Sequence, residues 1–130
     1  VSLFKKTPTV TIAKHSFNVT VAASQQEQEV GLSETKSLSE NQGMIILFEK
    51  PAYYSFWMKN MKFPIDIIYI NNDTIVTIKN NAQPPKDNEK NPIIYTPTAP
   101  SDKVLEIKSG LSEKYNFKKG DKVNYENFGN

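Results

Sequence analysis

Apolar and polar residues alternate with a period of two over several short stretches, the spacing of strands with one buried face. Val10-Thr11-Ile12-Ala13 and Phe17-Asn18-Val19-Thr20-Val21 read this way, with Lys14-His15-Ser16 as the turn between them and His15 as a solvated turn residue. Met44-Ile45-Ile46-Leu47-Phe48 is an unbroken apolar run, short and partly branched, which predicts a buried strand. Glu49-Lys50-Pro51 reads as a turn and 52–58 as the next strand, with Tyr54, Phe56 and Met58 on one face and Ser55, Trp57 and Lys59 on the other. In 65–70 both faces are apolar: Ile65, Ile67 and Tyr69 on one, Ile68 and Ile70 with Asp66 on the other, so this strand is expected to be covered on both sides. Asn71-Asn72-Asp73 predicts a hairpin into 74–79, because Asn and Asp tolerate positive φ. Strands over 104–107 and 122–126 complete the set.

Helical signals are few. Ser24-Gln25-Gln26-Glu27 has the capping-box pattern, which predicts a helix from 25 to 30 or 31. Ser109 is placed to cap a second short helix over 110–115, with Asn116 in the left-handed C-terminal position and Phe117 folding back. Residues 80–101 hold five of the eight prolines and predict a long loop, either a lid or a plain connection. Residues 1–9 read as a tail or a loosely tied first strand, and 10–128 as a single globular domain. The expected fold is mostly β: a β-sandwich or partly closed barrel of about eight short strands with two short helices.

One stretch stands apart. Phe56-Trp57-Met58-Lys59-Asn60-Met61-Lys62-Phe63-Pro64-Ile65-Asp66 carries the only tryptophan and two of the three methionines, and it ends in a carboxylate at the mouth of an apolar strand. A carboxylate heading into a core needs a cation or several donors. The nearest in sequence are Lys59, the Trp57 indole, the Asn60 amide and backbone N–H groups of the loop. Asp66 is then either a structural clip that holds the hairpin shut or, with Lys59 and Trp57, the polar floor of a ligand pocket. Phe56 and Met58 are assigned to the core.

Composition narrows the chemistry. At 130 residues the chain can bury about two thirds of its unfolded surface as one domain. All sixteen basic residues are lysine, against fourteen acids, for a net charge of +2. That weighs against arginine-based readout of nucleic acid and against an anionic membrane as partner. The absence of cysteine excludes disulfides, thiol catalysis and thiolate metal sites, and a single histidine excludes a multi-histidine site within one chain. Asp66 with neighbouring amide or backbone oxygens lacks the spacing of a calcium loop, so no metal and no cofactor is expected. Apolar runs are too short to span a membrane. The chain begins at Val1 without an initiator methionine, which suggests a trimmed start from which an export signal or lipid anchor has been removed.

The order Gly31-Leu32, Gly43-Met44-Ile45-Ile46-Leu47-Phe48, Ser55-Phe56-Trp57-Met58-Lys59-Asn60 and Pro64-Ile65-Asp66 resembles domain-of-unknown-function family 192. Tyr95, Pro97, Pro100, Val104-Leu105-Glu106 and Gly120-Asp121 agree with it, so the resemblance spans roughly 10–126. It implies a compact, mostly β domain, often exported in bacteria and also found in archaea, with no established reaction. The family's recurring positions fall on Trp57, Lys59, Asn60, Pro64 and Asp66. Ser33 stands where the family tends to have methionine, and Gln28 and Val30 where arginines are common, which puts a binding role for the first helix in doubt.

Three functions compete. The favoured one is a non-catalytic, monomeric, extracytoplasmic binding module. Trp57 with Tyr53, Tyr54 or Tyr95 would form its platform, and Lys59, Asn60 and Asp66 its orienting groups, for a small molecule, glycan or envelope peptide. The alternative is a hydrolase-like enzyme with Asp66 as acid–base, Lys59 as electrophile and Glu106 as a possible second carboxylate. The third is a purely structural or interaction domain.

Overall fold

The strand over 65–71 sets the architecture, because both of its faces are buried and its neighbours on both sides are long. In the computed structural model, residues 6–24, 27, 37–58, 61–86 and 93–129 are described. Among them the strands are β1 (Thr9–Ile12), β2 (His15–Ala22), β3 (Gln42–Ala52), β4 (Phe56–Trp57), β5 (Ile65–Asn71), β6 (Thr74–Ala82), β7 (Ile94–Tyr95), β8 (Ser101–Lys108) and β9 (Val123–Glu126). Seven form one sheet in the order β6-β5-β8-β3-β2-β1-β9, and β4 and β7 form a separate two-stranded ribbon. Pairing is antiparallel except between β2 and β3.

The large sheet curls into a half-barrel until its two edges meet at one end. Thr74 bridges Lys122, the Ile75 N–H donates to the Asp121 carbonyl at 3.0 Å, and the Val123 N–H donates to Asp73 at 2.7 Å. The concave face holds one core, built from Val10, Ile12, Phe17, Ile45, Ile68, Ile70, Ile75, Leu105, Ile107 and Val123. Leu111, the first residue of helix α1 (Leu111–Lys114), and Phe117, three residues beyond its end, close this core. The convex face holds a second core of Met44, Ile46, Ile65, Ile67, Tyr69 and Val104, covered by Phe56, Met58 and Met61.

The mostly β class, the doubly covered 65–70 strand and the hairpin at Asn72 (φ 58°) agree with the sequence pattern. The sandwich alternative gives way to the half-barrel, since one continuous sheet supplies both cores. One short helix is described rather than two. The first expected helix lies outside the described residues apart from Glu27, whose N–H donates to the Ser24 hydroxyl at 3.2 Å while its carboxylate accepts from Ala23 N–H at 2.8 Å. The first of these is the cap bond the spacing predicted; the second falls on the residue before the cap rather than on Ser24 itself. At α1 the expected Ser109 cap is replaced by Gly110, whose φ of 95° makes the chain turn. The Ser109 hydroxyl is bonded to Asn81 instead. The C-terminal expectation holds: Asn116 is left-handed at φ 56°, and the Phe117 N–H donates to the Ser112 carbonyl at 2.9 Å.

Two local readings change. The expected turn at 49–51 lies inside β3, which breaks register between Leu47 and Ala52 and then rejoins β8 at Ser101. Pro51 fits there because the excursion asks for no ladder N–H. The β1–β2 turn is Ala13–Lys14, both with positive φ, and His15 begins β2 with its ring stacked on Tyr115 at 3.6 Å.

Gly43 on β3 is fixed by proximity rather than by φ: a Cβ there would lie 2.9 Å from the Glu106 carbonyl of β8. Gly43→Ala is expected to force the two strands apart and lower stability by about 1–3 kcal/mol, read as a shift in the urea midpoint with an unchanged slope.

Candidate functional site

Strand alternation divides the residues expected to form one cluster between the two faces of the sheet. Asp66 shares the concave face with Ile68 and Ile70, and its side chain is fully buried. One carboxylate oxygen accepts the Asn81 N–H at 2.8 Å and the Gly110 N–H at 3.2 Å, and the other accepts the Ser112 N–H at 2.9 Å. Gly110 and Ser112 are the N-cap and second residue of α1, whose N-cap glycine offers no side chain of its own. Asp66 therefore caps from a distance the helix that closes the concave core, and it ties that helix to β6. The donors expected from the bend upstream come instead from 15 to 46 residues downstream. Lys59 and Asn60 lie outside the described residues, as do Gln28, Val30 and Ser33.

Trp57 belongs to the other face. Phe56 turns inward onto the convex core and is 3 % exposed, so the next residue on β4 must turn outward, and Trp57 is 39 % exposed. Across the ribbon Phe56 faces Tyr95 and Trp57 faces Ile94. Below the ribbon, the Tyr69 hydroxyl donates to the Tyr95 carbonyl at 2.9 Å, and alongside it the Ser55 and Thr96 hydroxyls are bonded at 2.9 Å. The chain after β7 is held on β6 through Thr98, whose N–H donates to the Thr77 hydroxyl at 2.8 Å.

Beside Trp57 opens a cleft of about 170 Å³, lined by Trp57, Met58, Gln83, Pro84, Pro85, Lys86 and Ile93. Exposed Ile93 and Ile94 continue its apolar lip. Its far wall comes from 83–86 and 93, inside the proline-rich segment, and the pattern of the chain did not single these residues out beyond marking that segment as a long loop. Tyr54 stacks on Phe48 at 3.7 Å and donates to the Lys50 carbonyl, Tyr95 packs with Phe56 against the core, and Tyr53 is exposed on the segment before β4.

Glu106 is buried, at 1 % exposure, on β8. It pairs in register with Ile67 and so lies on the convex face, while Asp66, opposite Ile107, lies on the concave one. The two acids occupy adjacent strands but are separated by the sheet itself, so they do not form a catalytic pair. Burial first, and the Glu106 charge second, hold the Tyr69 phenol well above its ordinary value.

A family model described as an uncharacterised ACR, DUF192, matches residues 8–125. The chain belongs to domain-of-unknown-function family 192. Among solved structures, this DUF192 domain is similar to a protein of unknown function from Novosphingobium aromaticivorans, with 35 % identity over 91 % of this chain and 83 % of that one and a TM-score of 0.74. It is also similar to "a putative transcription regulator" from Sinorhizobium meliloti, with 27 % identity over 96 % of both chains and a TM-score of 0.78. No curated protein matches.

Two outcomes follow from the DUF192 geometry. Asp66→Asn keeps the shape but removes the charge that three N–H groups share, and is expected to cost about 3 kcal/mol, measured by chemical denaturation. The second concerns alkali. Burial is also the first cause of a raised Tyr125 phenol, with Asp102 and Asp73 adding to it. An unfolded tyrosine ionises near pH 10, and these folded ones ionise higher, so above about pH 10 the unfolded chain holds fewer protons and stability falls as pH rises. Tyr69→Phe should cost about 1 kcal/mol at neutral pH through the lost bond to Tyr95, and should make the alkaline fall in the urea midpoint shallower.

Proposed function

We propose that this DUF192 domain is a non-catalytic binding module whose ligand site is the cleft at Trp57. The observation that carries the reading is the exposure of the only tryptophan over a concave apolar surface. A large ring left 39 % exposed beside Met58, Pro84, Pro85 and Ile93 offers binding area that folding has not used. The cleft's 170 Å³ is smaller than the roughly 300–1,000 Å³ of sites that enclose a whole small molecule. It therefore fits one ring or one apolar side chain of a longer ligand, as an envelope peptide or glycan would offer. Lys86 on the wall supplies the polar end of the site. Placement outside the cytoplasm is part of the same proposal and rests on the family's frequent occurrence in exported proteins.

The enzyme alternative has less support. The Asp66 carboxylate is buried, committed to three backbone donors and on the far face of the sheet from Trp57. A nucleic-acid role, by analogy with the similar transcription regulator from Sinorhizobium meliloti, meets a chain with no arginine and a net charge of +2.

Thermal-shift measurements against peptides and cell-wall fragments test the proposal. A ligand that raises the melting temperature of the wild type should fail to do so in Trp57→Ala, while the variant's own melting temperature stays nearly unchanged. Unfolding of the variant would assign Trp57 to the core. A ligand shift that survives the substitution would place the site elsewhere.

A further inference from the structure

Few large apolar side chains stay exposed, and most of them gather. Among the described residues they are Val21, Tyr53, Trp57, Ile93 and Ile94. Trp57 faces Ile94 across the ribbon, and Trp57 and Ile93 line the same cleft, so three of the five share one surface. Ile93 and Ile94 are consecutive, and they are 62 % and 53 % exposed. Pro84 and Pro85, half-buried on the cleft wall, extend this surface. A contiguous apolar patch marks a place where the protein meets another apolar body.

The charges around the patch differ from those elsewhere. The described parts of 48–63 and 82–100 carry the ribbon and the cleft, and they hold Lys50, Lys62 and Lys86 against one acid, Glu49. Lys86 lines the cleft, and Lys62 follows Met61, which packs with Phe56 and Met58 over the convex core. Lys50 and Lys62 are exposed. The described ion pairs, Lys103–Asp102, Lys114–Glu40 and Lys122–Asp73, involve none of these lysines. The net charge of +2 gives the chain as a whole no attraction to an anionic surface. Salt confines the reach of each exposed charge to about 10 Å, however, so a docked surface meets the local excess of lysine.

These features select the occupant. A peptide or glycan side group held in the cleft covers Trp57 and Ile93 but leaves Ile94 on the lip. A second copy of the chain would set lysine against lysine around the contact. An anionic bilayer suits both features: its acyl boundary takes isoleucine, its interface takes a tryptophan ring, and its phosphates attract lysine.

We propose that the ribbon face docks on an anionic phospholipid bilayer. Ile93 and Ile94 enter the acyl boundary, the Trp57 ring lies at headgroup depth, and Lys50, Lys62 and Lys86 attract the lipid phosphates. The docking goes beyond the reading of the cleft, since Ile94 and Lys62 line no part of it.

The test is sedimentation of the protein with unilamellar vesicles, made of phosphatidylcholine alone or of an equal mixture with phosphatidylglycerol. Emission from the only tryptophan gives a second reading. The expected result is binding to the mixed vesicles that weakens with salt, a blue shift of the emission, and quenching by lipids brominated on the acyl chain. Ile94→Ser and Lys62→Glu should each weaken partitioning by about tenfold with the melting temperature unchanged. Lys119→Glu, an equal change of net charge in the turn before β9, should leave partitioning as it is. No binding to the mixed vesicles, binding without a blue shift, equal losses in Lys62→Glu and Lys119→Glu, or self-association that buries the patch without lipid would overturn it. Ligand binding in the cleft is measured without vesicles and should persist in Ile94→Ser, so the two readings fail separately.

Discussion

The fold depends on a single buried carboxylate that accepts three backbone N–H groups from two other segments. A half-barrel leaves an open mouth, and the turn and helix that close it bring N–H groups with no helical partner into a buried place. Asp66 meets two of these donors, at Gly110 and Ser112, and uses its spare acceptor capacity on Asn81 of β6. An apolar residue at 66 would pack against Ile68 and Ile70 but would leave those donors stranded. The charge is tolerated at depth because its hydrogen bonds are local, short and directed, which replaces much of the lost hydration.

The same strand organises the opposite face. One residue pattern along β5 sends Asp66, Ile68 and Ile70 to the helix side and Ile65, Ile67 and Tyr69 to the ribbon side. Tyr69 then reaches through the convex core to hold the Tyr95 carbonyl. Both attachments, of the closing helix and of the ribbon, thus start from residues three apart on one rigid strand with paired neighbours on either side. Glu106 lies beside this arrangement on β8 and adds its field to the burial that keeps Tyr69 protonated as a donor.

What the chain shows on its face is whatever can be decided within a few residues. The two apolar faces of 65–70 follow from period-two alternation, the left-handed Asn116 from the helix-ending pattern, and the Ser24–Glu27 pair from capping spacing, and each is found. The same reasoning misassigns the partners of Asp66. It looks for donors in the neighbouring bend, whereas the closure of the barrel brings them from 110 and 112, a separation that no local pattern encodes. Pro51 misleads for a related reason: proline marks a turn in isolation, but β3 passes it as an unpaired excursion because Ala52 finds Ser101 again beyond the register break. The expected grouping of Trp57 with Asp66 fails on parity, since the sheet separates residues that lie close in sequence. The outward position of Trp57, by contrast, was readable from the alternation with Phe56 and Met58.

Parity also decides what each half of that grouping is free to do. On the ribbon, Phe56 and Tyr95 pack on the convex core and the Tyr69 hydroxyl anchors the backbone, while Trp57 and Ile94 turn outward. The part of such a ring that stays exposed can answer to a ligand. Asp66 has no such freedom, because each carboxylate oxygen already serves a backbone group whose desolvation it offsets, and any substrate would have to compete with the fold for it. The separation of roles is thus a consequence of the two-faced sheet: the buried acid serves the closed core, and the surface available for recognition lies where alternation leaves a large aromatic outside.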